Sequence, residues 1–250
     1  MRYNTQVVDP GQELRVLQQE VTACRTCPRL VEYCQGIAAR KRLAYMDWEY
    51  WGRPVPSFGD PKARVLVIGL APGAHGSNRT GRMFTGDGSG NFLYRVLHRT
   101  GFASQPLAVS RDDGLRLKDI YITAAVRCAP PDNKPAPEEF TACRRFLEKE
   151  MDLLRGVRVV VTLGKLAHDA YLGVLRLRGL IATRGAYRFG HGVMHKLPDG
   201  LPVLISSYHP SQQNTQTGRL TQAMLRKVFE KARKEARTPV TSRLRTLAGR

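Results

Sequence analysis

Four of the five cysteines fall into two groups that could together bind a metal: Cys24 and Cys27, spaced as CxxC, and Cys128 with Cys143. Cys24 and Cys27 follow a stretch of helical periodicity carrying Leu14, Leu17 and Val21. Cys128 follows a strand-like run, and Cys143 lies on the next helical segment. Folding can therefore bring all four thiols to one place. Four thiolates hold either tetrahedral zinc or an iron–sulfur cluster, and the spacing does not choose between them. Cysteine is also a common small core residue, which is the plain alternative for these four and the reading taken for Cys34.

A second chemical signal is the run GLAPGAHGSNRTGRMFTGD, from Gly69 to Asp87. So many glycines in one loop let the backbone come close to a ligand. The loop lacks the Gly-Lys-Ser/Thr ending of a Walker loop, and Gly86-Asp87-Gly88-Ser89-Gly90 misses the dinucleotide spacing, so a nucleotide-phosphate site is the weaker reading. Late in the chain stands SYHPSQQNTQTGR, from Ser207 to Arg219. Its polar side chains suit a loop pressed on phosphates and base edges.

These segments need elements to position them. Runs 64–70, 119–126, 157–163 and 202–207 are rich in Val and Ile and read as buried parallel strands. Between them, residues 91–101 place Phe92, Leu93, Val96 and Leu97 on one helical face, and residues 138–155 do the same with Phe140, Cys143, Leu147, Met151 and Leu154. The alternation predicts a three-layer α/β/α sandwich. In such folds ligands sit beyond the carboxyl ends of the strands, which is where the glycine loop, Cys128 and the late histidine segment fall. The run at 164–168 reads as a plain turn into a helix.

The 250 residues fit one domain over 1–238 plus a basic tail over 239–250; from 226 onward nine Lys or Arg face Glu230 and Glu235. Forty Lys and Arg against twenty-one Asp and Glu give a formal charge of +19, a field that attracts polyanions, nucleic acid before acidic membranes. No apolar run approaches the roughly 20 residues needed to cross a bilayer. The first residues lack a secretory apolar stretch, so the expected compartment is the cytoplasm and the expected state a monomer.

Taken together, GLAPGAHGSNRTGRMFTGD, AAVRCAPPDNKP, HPSQQNTQTGR and the four-cysteine layout resemble the family 5 uracil-DNA glycosylases, over roughly residues 14–226. The resemblance implies an α/β/α fold with a four-stranded, mainly parallel sheet and a 4Fe-4S cluster on Cys24, Cys27, Cys128 and Cys143. It implies a DNA substrate, single- or double-stranded, and hydrolysis of the N-glycosidic bond of an extruded base. By the same resemblance Phe84 stacks on the base and Gly73, Ala74 and His75 line its pocket. Asp87 is the functional carboxylate, Asn133 positions water or base, and His209 steadies the departing anion by its side chain or its amide. Arg79, Arg82, Asn214 and Arg219 are the expected DNA contacts, with salt-sensitive binding as the corollary.

Leu70 and Ala124 stand where related glycosylases carry a polar residue and an asparagine. That loss of polar selection implies a broader range of deaminated bases, with hypoxanthine and xanthine beside uracil. No lysine is indicated as a Schiff-base nucleophile, so a monofunctional enzyme that leaves an abasic site is expected. A non-catalytic nucleic-acid-binding protein with structural zinc or a cluster would use the same charge and cysteines but need no Asp87. An iron–sulfur redox sensor would leave both ligand loops superfluous.

Overall fold

The computed structural model describes residues 9–198 and 200–238. The tail expected over 239–250 and the N-terminal residues 1–8 lie outside this range. Four central strands, β2 (Val65–Gly69), β3 (Ile120–Ala124), β4 (Val159–Leu163) and β6 (Val203–Ser207), run parallel in the order β3-β2-β4-β6. They match the four runs read from sequence, each trimmed by one to three residues. Two antiparallel edge pieces, β1 (Phe58–Gly59) beside β3 and β5 (Met194–His195) beside β6, extend the sheet to six strands. Two-residue strands carry no periodicity, and neither edge was expected.

Every residue of the four central strands is buried, and successive side chains point to opposite faces of the sheet. Val65, Val67, Ile120, Ile122, Val159, Val161, Val203 and Ile205 pack under α4 (Gly88–Arg99) and α8 (Gln222–Arg237). Leu66, Ile68, Val160 and Leu204 pack under α1 (Pro10–Ala23), α5 (Pro137–Leu153) and α6 (Lys165–Leu177). Each fully buried aliphatic chain contributes roughly 1.5–3 kcal/mol of transfer free energy, so both faces are strongly specified. The short helices α3 (Ser77–Thr80) and α7 (Gln212–Gln216) and the 3-10 turns Leu43–Tyr45 and Pro131–Asn133 sit in connecting loops. Among the described residues no helix is long and apolar enough to cross a membrane.

Two polar devices tie the layers at the cysteine end. Arg29, on α2 (Pro28–Arg40), grips Glu139 with two bonds of 2.8 Å, while Glu139 also accepts the Ala136 amide at 2.7 Å and so caps α5. Beneath the sheet, buried Glu150 accepts from Arg127, Thr123 and Ser57 at 2.6 Å each and from Gln18 at 3.2 Å. Arg127 also bonds the Ser57 hydroxyl. This network joins α1, β3 and α5 around a fully buried ion pair.

Candidate active site

Phe84 and Asp87 follow β2, Asn133 follows β3 and His209 follows β6. All four line one cleft of about 740 Å³ beyond the carboxyl ends of the strands. Gly73, Ala74 and His75 line it too. So do Leu70 and Ala124, which give the pocket an apolar wall at the two positions where related glycosylases carry polar residues.

The Phe84 ring lies over the end of β2. A Cβ on Gly69 would stand 2.8 Å from its Cζ, so a glycine is required beneath the ring. Its backbone takes a positive φ of 52°, a conformation that costs a non-glycine residue energy and is held by the surrounding loop. His209 lies beside it, ring centroids 5.9 Å apart and tilted by 32°. Burial pushes the His209 imidazole down to about 4, so the ring is neutral at physiological pH.

Asp87 is the N-cap of α4: its Oδ1 accepts the Gly90 amide at 2.8 Å. Capping therefore engages one of its two carboxylate oxygens. The other faces the glycine loop, so close that a Cβ on Gly76 would lie 2.0 Å from Oδ2 and one on Gly73 3.0 Å away. Burial raises this carboxyl above its usual range, opposed by the Gly90 and Ser89 amides and by Arg79. Asn133 sits at the solvent rim with φ 56°, next to Asp132 at φ 53°; asparagine and aspartate tolerate that region better than most residues. His75 receives or donates a 3.1 Å bond with the Tyr50 hydroxyl, and burial with Arg42 and Arg79 nearby lowers its pKa.

Three expected DNA contacts are engaged inside the protein. Arg79 is 3% exposed, stacked against Tyr45 and Trp48 at 3.9 and 4.1 Å, and donates to the His75 and Gly86 carbonyls. Arg82 is equally buried and paired with Asp113 at 2.8 Å. Both build the glycine loop instead of meeting phosphate at the surface. The Asn214 amide donates to the His209 carbonyl at 2.8 Å, which makes it a positioning residue for that backbone. Arg219 is exposed, over the Tyr208 ring. Arg42, Tyr45 and Asp132 line the cleft without having been expected there, and Gln212 and Gln213, from the polar segment 207–219, line it as well. The basic run Arg40-Lys41-Arg42 was the one available pointer to the first two.

Cys24, Cys27, Cys128 and Cys143 line a single small cleft together with Val126, Arg127 and Phe146. Cys34 is outside that lining but adjoins it: it is fully buried, donates to the Ala129 carbonyl at 3.5 Å and lies against the Cys128 thiol. Among the described residues no three His, Cys, Asp or Glu side chains are arranged around a point that would hold one metal ion. A mononuclear zinc site needs every sulfur about 2.3 Å from a single centre. A polynuclear cluster ligated by Cys₄ spreads those bonds over several irons and needs no such single centre, so the all-thiol lining of this cleft is compatible with one. A different cleft, of about 440 Å³ between α5 and α6, is lined by Phe140, Leu147 and Leu166 and holds none of the expected site residues.

Residues 56–233 match the family model described as the uracil DNA glycosylase superfamily. Over 218 residues the chain is 55% identical to the type-5 uracil-DNA glycosylase of Thermus thermophilus, covering 87% of this chain and 96% of that protein. It is 50% identical to the type-5 enzyme of Mycobacterium leprae over 221 residues, 88% of this chain and 94% of that one. With the type-5 enzyme of Pyrobaculum aerophilum the identity is 47% over 213 residues, 85% and 89% of the two chains. The chain belongs to the uracil-DNA glycosylase superfamily, among its type-5 members. For this family member the cleft beyond β2, β3 and β6 gathers residues 125 positions apart, from Phe84 to His209, around one space sized for a small ligand.

Proposed function

We propose that this chain is a DNA-repair glycosylase that hydrolyses the N-glycosidic bond of uracil in DNA and of other deaminated bases. The observation that carries the reading is the convergence of Phe84, Asp87, Asn133 and His209 on one cleft from three separate strand ends.

The extruded base lies against the Phe84 ring, with Leu70 and Ala124 forming the apolar wall. As the bond from C1′ to the base nitrogen lengthens, its electron pair leaves with the base and positive charge grows on the sugar. Asp87, kept in place by its capping bond, uses its free oxygen to steady that charge and to orient the attacking water. Neutral His209, through ring or amide, donates to the base oxygen that becomes negative. Asn133 at the rim positions water or base. Water oxygen ends on C1′ and its proton passes to Asp87, then to solvent, while the base leaves as its anion and is protonated. The products are an abasic sugar and a free base. The reaction is monofunctional and leaves the strand uncut at the abasic site.

Because Leu70 and Ala124 offer no hydrogen bonds from their side chains to a base edge, selection rests on shape and stacking, and hypoxanthine and xanthine are included as substrates. Cys24, Cys27, Cys128 and Cys143 hold a 4Fe-4S cluster, which when bound supplies a cross-link between the α1–α2 junction, the loop after β3 and α5. The compartment is the cytoplasm, where the DNA substrate is found, and the working form is a monomer.

The test is cleavage of duplexes carrying uracil or hypoxanthine by purified protein beside Asp87→Ala, with alkali revealing abasic sites, on a preparation whose brown colour and iron content are recorded. Wild type breaks both duplexes after alkali and the variant breaks neither. Uracil cut with hypoxanthine untouched at matched enzyme excess refutes the broad range; nicking without alkali refutes the monofunctional mechanism.

A further inference from the structure

Extruding a nucleotide leaves a gap in the base stack, and the base returns unless something occupies that gap. Proteins that unstack DNA commonly insert an apolar side chain there. The α7 rim of the cleft offers only Ser211, Gln212 and Gln213, all polar. Arg42 and Tyr45 also line the cleft, and between them in the chain Leu43 is 89% exposed. Of the large exposed hydrophobic side chains among the described residues, only Leu43 and Met46 belong to a segment that lines this cleft; Met46 is 51% exposed.

An exposed leucine on a loose loop would mean little, but this one stands on a braced turn. Leu43 opens the 3-10 turn Leu43–Tyr45, closed by the Tyr45 amide on the Arg42 carbonyl at 2.7 Å. The Lys41 ammonium ties back to the Met46 carbonyl at 2.9 Å. Tyr45 and Trp48 meet edge to face, and both pack on the buried guanidinium of Arg79, which itself holds the glycine loop. The turn and the base pocket thus share one anchor. Charge points to the occupant: Arg40, Lys41 and Arg42 precede the leucine and Arg42 lines the cleft, suited to phosphates flanking the extruded nucleotide, while the acids Asp47 and Glu49 come after Met46.

We propose that Leu43 is a wedge that enters the duplex stack beside the flipped nucleotide, with Met46 behind it and residues 40–42 on the adjoining phosphates. The proposal rests on the glycosylase reading and adds the element that holds the duplex open. A side chain this exposed is free of packing partners, so its truncation leaves the fold intact.

Single-turnover excision is measured for uracil opposite adenine, opposite guanine, and opposite an abasic analogue where no pair has to be opened. Leu43→Ala slows the adenine-paired substrate by roughly ten-fold or more, the guanine-paired one less, and the unpaired one by under about two-fold. Leu43→Met restores the rate. In parallel, 2-aminopurine placed opposite a stable abasic analogue reports unstacking with no cleavage: wild type changes its fluorescence on binding, and Leu43→Ala binds without that change. Equal slowing on all three substrates, an adenine-paired rate within two-fold of wild type, or an unaltered fluorescence response overturns the wedge. Wild-type inactivity on every substrate would sink the glycosylase reading instead, and the fluorescence arm would still decide the wedge.

Discussion

Substituting Gly76 by alanine tests whether the place of Asp87, and not merely its presence, drives the reaction. The added Cβ would lie 2.0 Å from Asp87 Oδ2, 2.7 Å from Cγ and 3.0 Å from Cβ, against a normal contact well above 3 Å. The carboxylate must therefore retreat by more than about 1 Å, a displacement that costs on the order of 10²-fold in rate when it moves a catalytic group. Retreat also breaks the Oδ1 bond to the Gly90 amide, a helix cap worth about 1 kcal/mol. The expected phenotype is lopsided: single-turnover uracil excision falls about a hundred-fold, while denaturant unfolding shows only the small loss of a cap. Gly73→Ala, whose Cβ would stand 3.0 Å from the same oxygen, is the milder neighbour and falls in between. Near-wild-type excision by Gly76→Ala, in a preparation where Asp87→Ala is inactive, would refute the claim that this oxygen acts from where it now lies. A large loss of stability would instead trace the effect to the loop.

Three further outcomes follow from the electrostatics. Burial holds Asp87 above the ordinary carboxylate range and His209 down at about 4, so the excision rate should fall on the acid side as Asp87 gains a proton, with no break near 6.5 from His209. An Asp87→Asn variant should lose that acid limb; a wild-type rate that drops through pH 6.5 and is rescued by replacing His209 would refute the assignment. Because His209 is harder to protonate folded than unfolded, its linkage leaves stability untouched above about pH 6.5 and erodes it as pH falls toward about 4. Glu150→Gln should strand the buried Arg127 guanidinium and cost about 3–5 kcal/mol, read from denaturant midpoints. A shift under about 1 kcal/mol would mean that the Ser57 and Thr123 hydroxyls carry the pair without its charge.

The alternation of Val- and Ile-rich runs with amphipathic segments was enough to specify the layered α/β/α fold, since burial on both faces of a parallel sheet leaves a continuous apolar signature. Motifs local in sequence were equally legible: Phe84 and Asp87 share one loop, and the turn that presents each is encoded within a few residues. What only the tertiary structure decided depends on partners far along the chain. Arg79 and Arg82 look like surface cations by type, yet Asp113, Tyr45 and Trp48 draw them inside. No local pattern announces such pairings. The two edge strands are too short to have a period, and nothing in the local sequence marks Leu43, which the fold leaves exposed beside the cleft. Residue type and spacing determine which chemistry is available here; long-range packing determines which side chains are free to perform it.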